Sequence, residues 1–153
     1  MEESLIILKP DSVQRGLIGD IISRIERRGL RIAALKMIWL DRELAERHYH
    51  EHKGKHFYEP LLKFITSAPV VVMLVHGPEA IAVLRAMMGA TDSKQAAPGT
   101  IRGDYGLSNR HNLLHGSDSL QSAQREVALF FTPEEIHAYQ RVVEPWADPD
   151  AEW

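Results

Sequence analysis

The chain has 153 residues, of which 44% are hydrophobic and 25% are charged, close to the composition of an average soluble globular protein. This length and composition predict a single domain over residues 1–153 and exclude collagen-like and disordered chains. Lys and Arg number 18 against 21 Asp and Glu, so the net charge is −3 and no general basic field is present to hold a nucleic acid. The lack of cysteine excludes disulfides, thiolate metal sites and a cysteine nucleophile.

The first residues, MEESLIILKPDS, are acidic, and their apolar run is too short for a signal peptide. No stretch approaches the apolar length of a membrane span. We therefore expect a cytoplasmic protein with no membrane partner.

Hydrophobic periodicity predicts helices and strands in alternation. Strands are predicted over residues 4–8, 31–40 and 70–75 and near 127–131, and helices over 17–29, 41–53, 57–66, 77–88 and 118–125 and from Thr132 onward. Strands separated by helices favour an α/β architecture of the α+β type, with helices packed on a sheet. Four strands with paired crossovers fit a ferredoxin-like βαββαβ core with an antiparallel sheet.

Two segments show no sustained period. Residues 89–112 are rich in Gly, Pro, Asp, Ser and Asn and predict a long loop, which is uncommon in a compact domain and often functional. The C-terminal sequence EPWADPDAEW predicts an irregular extension.

The candidate chemistry lies close to that loop. No GxxxxGK[ST] loop and no GxGxxG after a strand is present, so neither common nucleotide signature has support. His115 lies in the sequence HGSD, just before a predicted helix. It could be a nucleophile beside the start of that helix, or the segment could be an ordinary loop end that caps the helix. Arg102, between two glycines, could offer a planar fork to a phosphate or be a surface arginine in a turn. Lys9 lies at the end of a predicted strand, where sheet proteins often place functional groups, or it is simply a charged residue that ends the strand.

Four of the eight histidines lie close together in HYHEHKGKHF. His48 and His52 have the i, i+4 spacing of metal ligands on a helix, but no HExxH motif is present and His50 would point elsewhere. A solvated helix face is the simpler interpretation. Tyr49 and Phe57 are candidate core residues, and Phe57 is alternatively a surface for stacking a base.

Together these segments give the chain a strong resemblance to the nucleoside diphosphate kinase family. The matching blocks are LKPDSVQRGLIGDIISRIERRG, HYHEHKGKHFYEPLLKFITSAPVVVM, PGTIRGDY and HGSDSLQSAQREVALFF, in the family's order and spacing. The resemblance implies a ferredoxin-like core. It also implies reversible transfer of the γ-phosphate from a nucleoside triphosphate to a nucleoside diphosphate, by a ping-pong mechanism through a phosphohistidine.

The resemblance also implies roles for individual residues. His115 matches the phosphorylated histidine, modified on the ring nitrogen nearer the backbone, and Glu126 the carboxylate that orients its ring, partly through Ser117. Other active-site positions match Lys9, Tyr49, His52, Phe57, Arg85, Thr91, Arg102 and Asn112. In the family pattern Phe57 stacks on the base, and Lys9 and Asn112 meet the sugar hydroxyls. The phosphates are met by His52, Arg85, Thr91 and Arg102.

The implied cofactor is Mg²⁺, held mainly by nucleotide phosphates and water, with no dedicated protein site. The implied partners are nucleoside tri- and diphosphates and further copies of the chain. The extension past Gln140 resembles the tails of hexameric members, so a hexamer is favoured over a tetramer. The chain departs from the common pattern at Asp92-Ser93, where many members have Asn-Pro, and at Arg110-His111, where many have Gly-Arg.

Two rival functions follow from the same sequence. A binding or regulatory module with a dead site would be expected to lack one of the key residues His115, Glu126 and Lys9, and all three are present. A nucleic-acid-binding sheet would call for exposed strand aromatics and a basic surface, whereas aromatic residues make up 7% of the chain and the net charge is −3.

Overall fold

One antiparallel sheet organises the computed structural model, which describes residues 1–153. Its strands are β1 (Glu2–Leu8), β2 (Arg31–Ile38), β3 (Val70–Gly77) and β4 (Leu114–Gly116), in the spatial order β2-β3-β1-β4. With helices between β1 and β2 and between β3 and β4, this is the ferredoxin-like βαββαβ arrangement that the sequence predicted.

The helices cover both faces of the sheet. They are α1 (Pro10–Gln14), α2 (Ile18–Arg27), α3 (Arg42–His48), α4 (Tyr58–Ile65), α5 (Ala80–Met88), α6 (Ile101–Tyr105), α7 (Leu120–Phe130) and α8 (Glu144–Ala147). Single turns of 3₁₀ helix occur at His50–His52, Ser93–Gln95 and Pro133–Glu135. None of these helices combines the length and the apolar character needed to cross a bilayer.

Strand β1 is buried on both faces because it lies between two other strands and two hydrophobic cores. Leu5 and Ile7 point into one core, which α3, α4 and α7 complete. Ile6 and Leu8 point into the other, which α2 and α5 complete. All four side chains are fully buried. The residues that follow β1 are therefore held by the most rigid part of the fold.

The predicted strand near residues 127–131 is wrong, because α7 continues to Phe130. The buried residues Ala123, Glu126, Val127 and Phe130 recur at helical spacing, so the apolar run VALFF continues a helix face rather than starting a strand. The fourth strand is instead the three-residue β4, which pairs with β1 and contains His115.

Three other boundaries differ from the predictions. The capping box of Thr132 and Glu135 is present, but it starts a single 3₁₀ turn, because the chain then returns to β2 and the His137 N–H donates to the Ala33 carbonyl. The predicted loop 89–112 contains α6, which Thr100 caps by accepting from the Gly103 N–H. The C-terminal extension, predicted irregular, contains α8.

The predicted helix 41–53 ends at His48, and a 3₁₀ turn follows. This break separates the histidines of the cluster. His48 is buried, whereas His50 and His56 are exposed. A single solvated helix face therefore does not form, and the prediction of one is wrong.

Candidate functional site

A cleft of about 380 Å³ lies beside β4 and gathers side chains from distant parts of the chain. Its volume suits a small organic ligand. The predicted site residues that line it are Lys9, Tyr49, His52, Phe57, Arg85, Thr91, Arg102, Asn112 and His115. The two remaining predicted residues, Ser117 and Glu126, do not line the cleft and are buried beside His115.

The imidazole of His115 is fixed from its inner side. Strand β4 pairs with β1, which places His115 opposite Ile7, and Nε2 of the ring lies 2.8 Å from Oε2 of Glu126. The carboxylate is thus engaged with one ring nitrogen. The other nitrogen, Nδ1, is the one available to a ligand in the cleft.

A short hydrogen-bond chain holds Glu126 in place. The Ser117 hydroxyl donates to Oε1 of Glu126 at 2.7 Å and accepts from the Leu5 N–H at 2.9 Å. Burial alone would raise the pKa of Glu126, but the His115 ring at 2.8 Å and the hydrogen bond from Ser117 outweigh it and keep that pKa below its ordinary value. Glu126 is therefore charged at neutral pH and faces Nε2 as an acceptor.

The residues after β1 hold a strained backbone next to the nucleophile candidate. Leu113 has φ of +78°, in the left-handed region that costs a non-glycine residue about 1–3 kcal/mol. Asp11 accepts from the Leu113 N–H, while the Ser12 hydroxyl and the Lys9 N–H donate to the Leu113 carbonyl. Asp11 and Ser12 were not among the predicted site residues, although they lie in the conspicuous KPDS sequence.

Lys9 also contributes its side chain to the wall of the cleft. Its Nζ donates to Oδ1 of Asn112 at 2.8 Å, and the Asn112 amide donates to the Thr91 carbonyl at 3.0 Å. Burial, assisted by the charge of Arg102, lowers the pKa of Lys9 to about 8. An anion in the cleft would favour the charged form of this lysine.

Two arginines place positive charge near β4. Arg102 is buried and donates to three backbone carbonyls, those of Gly89, Asn112 and Leu114, at 2.7–3.0 Å. Because a guanidinium has five N–H donors, Arg102 keeps two for a ligand. Arg85 donates to the Gly116 carbonyl at 3.3 Å. Burial, and then the charge of Arg85, lower the pKa of Arg102.

The opposite wall is aromatic. Tyr49 is buried, and its burial, with the negative charge of Glu126, raises the pKa of its hydroxyl, so the phenol stays protonated. The rings of His52 and Phe57 meet at 5.2 Å in an edge-on arrangement. Leu61 of α4 extends this apolar surface.

His48, which the sequence suggested only as a possible metal ligand, is a buried neighbour of the candidate nucleophile. Its ring stands edge-on to the ring of His115 at 4.8 Å and contacts Phe130 at 5.3 Å. Burial, and then the charges of His115 and Arg125, hold the pKa of His48 well below its ordinary value. The neutral ring is thus a wall that limits the orientation of His115. Only its position before Tyr49 in a conspicuous histidine cluster could have indicated it.

No carboxylate lines the cleft, whose charged residues are Lys9, Arg85, Arg102 and Arg110. Divalent magnesium prefers carboxylate and phosphate oxygens. The wall therefore suits an anion and offers no carboxylate cage for a resident magnesium ion.

Comparison with known proteins identifies the family that shares this architecture. The model of the family described as nucleoside diphosphate kinase matches residues 2–136. The chain belongs to the nucleoside diphosphate kinase family. The nucleoside diphosphate kinase of Pyrococcus furiosus is 61% identical over 142 residues, which cover 91% of this chain and 88% of that protein. The enzyme of Listeria monocytogenes serotype 4a is 54% identical over 146 residues, covering 95% and 99% of the two chains.

Solved structures of nucleoside diphosphate kinases share the fold over nearly the full length. A halophilic nucleoside diphosphate kinase from Halobacterium salinarum, in complex with CDP, superposes with a TM-score of 0.94 at 48% identity and covers 95% of this chain and 97% of that one. A family protein from Babesia bovis gives a TM-score of 0.93 at 44% identity, with coverage of 96% and 99%.

Proposed function

We propose that the chain transfers the γ-phosphate of a nucleoside triphosphate, typically ATP, to a nucleoside diphosphate through phosphorylated His115. The observation that carries this proposal is the pairing of His115 Nε2 with the buried carboxylate of Glu126 at 2.8 Å, beside a cleft lined with cations. Family membership supports the reaction, and the geometry supports His115 as the residue that performs it.

The first half-reaction requires a neutral imidazole, because the lone pair of Nδ1 is the nucleophile. The lone pair of Nδ1 attacks the γ-phosphorus, an N–P bond forms, and the bond from that phosphorus to the bridging oxygen breaks. The nucleoside diphosphate leaves with the electron pair. The proton on Nε2 stays on the ring, where Glu126 stabilises the positive charge that develops.

The second half-reaction reverses the first with a different nucleotide. A terminal oxygen of the acceptor diphosphate attacks the phosphorus of the phosphohistidine, and the N–P bond electrons return to Nδ1. Both nucleotides use one cleft in turn, which gives ping-pong kinetics. The chain contributes positioning and charge neutralisation, which phosphoryl transfer requires most.

In this proposal, each of the other residues has a role that matches its position in the cleft. The cations Arg85 and Arg102, with Thr91 and His52, bind phosphates. Lys9 and Asn112, joined by a hydrogen bond, meet the sugar hydroxyls, and Phe57 stacks on the base. Ser117 acts by holding the Glu126 carboxylate, and Tyr49 orients groups beside the His115 ring. The substrate is the magnesium complex of the nucleotide, because the wall supplies cations and no carboxylate.

The proposal predicts a phosphoenzyme that forms and disappears. After brief incubation with MgATP, intact-protein mass spectrometry is expected to find one added phosphate that is acid-labile and that a chase with a second nucleoside diphosphate removes. Omission of magnesium should prevent the gain. A folded protein that gains no phosphate from MgATP would contradict the proposal and favour a non-catalytic binding module.

We also propose that the active form is a hexamer. Strand β2 lies at an edge of the sheet, and large apolar side chains are exposed on it and just after it: Leu35 (52%) and Met37 (56%) in the strand and Trp39 (64%) beyond its end. An exposed apolar edge strand is a ready site for pairing with a second copy. Trp146 of the C-terminal extension is 90% exposed and offers a further contact. Light scattering after size exclusion should give the mass of six 17.3 kDa chains, and a dimer or tetramer mass would contradict a hexamer.

A cytoplasmic location and a single domain over residues 1–153 belong to the same proposal. The single sheet, with both hydrophobic cores packed against it, supports one domain. Cell fractionation, and limited proteolysis that yields no stable half, would check these two points.

A further inference from the structure

Arg110 is a cation at the edge of the cleft that the mechanism above does not use. It lines the cleft together with Phe57, Leu61 and Asn109. Its side chain is exposed, and its guanidinium donates to no other group of the chain; only its backbone N–H is bonded, to the Ser108 hydroxyl. All five of its N–H donors are therefore available to a ligand.

The turn that carries Arg110 is ordered without help from the arginine side chain. The Ser108 hydroxyl accepts from the N–H groups of Arg110 and His111, at 3.1 Å each. The His111 ring stacks on Phe64 with centroids 4.3 Å apart and planes 9° apart. Residue 110 is thus held against α4 by its neighbours, so a change of its side chain leaves the turn intact.

The position of Arg110 separates it from the phosphate-binding cations. Arg85 and Arg102 are tied to carbonyls of β4, next to His115. Arg110 instead lies beside α4: His111 stacks on Phe64 in the last turn of that helix, and Arg110 lines the cleft with Leu61 of α4 and Phe57 just before it. Arg110 therefore lies at the end of the cleft with the aromatic surface, where the proposed function places the base.

We infer that Arg110 is a specificity residue that favours guanine, by donating two N–H groups to O6 and N7 of the base. This inference rests on the proposed function, because it requires a base stacked on Phe57. The paired acceptors O6 and N7 of guanine match the fork of an arginine, whereas adenine presents an amino donor in place of O6. A pyrimidine lacks N7 altogether.

The test compares acceptor nucleotides in the second half-reaction. The wild-type chain, phosphorylated with MgATP, is expected to use GDP with a kcat/KM about tenfold above that for ADP, a factor within the range of one bidentate arginine–guanine contact. Inosine diphosphate, which keeps O6 and N7, should retain the preference, and 7-deaza-GDP should lose most of it.

Variants test whether the guanidinium of Arg110 causes the preference for GDP. Arg110→Ala should remove most of the GDP preference while leaving the rate with ADP nearly unchanged, and Arg110→Lys should restore only part of it. Arg27→Ala, which removes an exposed arginine of α2 outside the cleft, is the matched control and should leave the GDP-to-ADP ratio unchanged.

Two results would overturn the inference. An equal loss for all diphosphates in Arg110→Ala would mean that the arginine binds phosphates or stacks on any base. A GDP-to-ADP ratio that Arg110→Ala leaves unchanged would mean that it does not read the base. In either case a phosphoenzyme that still forms and transfers leaves the proposed function intact, whereas failure to form it with every nucleotide would instead refute the proposed function.

Discussion

His115→Ala is expected to abolish phosphoenzyme formation and to lower nucleotide exchange by on the order of 10⁴-fold or more. The other histidine that lines the cleft, His52, has no buried carboxylate to orient its ring as Glu126 orients that of His115. Intact mass after MgATP, and a coupled assay of exchange between ATP and a second diphosphate, measure the two effects. Nucleotide binding should survive, since the cations and Phe57 remain.

The control for this prediction is His50→Ala, which removes an exposed histidine outside the cleft. It should be phosphorylated as fast as the wild type. An acid-labile phosphate on the His115→Ala variant would show that another residue is the nucleophile.

Glu126→Gln is expected to slow phosphorylation of His115 by about 10- to 100-fold. This is the usual range for loss of a residue that orients a reacting group without contacting the substrate. The amide has the shape of the carboxylate, and its oxygen can still accept from Ser117, so the fold is preserved. The negative charge that stabilises the developing imidazolium is lost. An amide NH₂ turned toward Nε2 would moreover favour the tautomer with its proton on Nδ1, which blocks attack.

Quenched-flow measurement of a single turnover with saturating MgATP separates this effect from binding. We expect the maximal rate to fall while the concentration dependence changes little. Glu134→Gln, which changes an exposed carboxylate outside the cleft, is the matched control. An unchanged maximal rate in Glu126→Gln would show that the carboxylate does not assist the transfer.

Much of the sheet could be predicted from the sequence, because buried strands are recognisable by their aliphatic composition. The segment 70–75 is almost wholly aliphatic and forms most of β3, and residues 4–8 form most of β1. Strand β4 could not be found in the same way. It has three residues, one of them histidine and one glycine, and only its pairing with β1 makes it a strand. Meanwhile the apolar run 127–131 imitates a strand, although its residues lie on the buried face of α7.

The candidate site was predictable as a set of residues, and its geometry was not. The resemblance named nine of the fifteen residues that line the cleft. The contacts behind them depend on long-range packing: His48 lies against His115, and Asp11 and Ser12 hold Leu113. The local sequence does not indicate that a histidine is buried. Nor does it indicate that the Asp11 carboxylate accepts from a backbone N–H 102 residues away.

The backbone at Leu113 has a consequence for how the chain becomes active. Its left-handed conformation is unfavourable by itself, and the groups that hold it belong to residues 9–12, about a hundred positions earlier. As the chain is synthesised, this N-terminal segment can make these contacts only after residue 113 has emerged from the ribosome. The carboxylate at 126 emerges later still. No shorter fragment can hold the nucleophile in its working orientation. Fragments that end before residue 126 should therefore not consume nucleoside triphosphate.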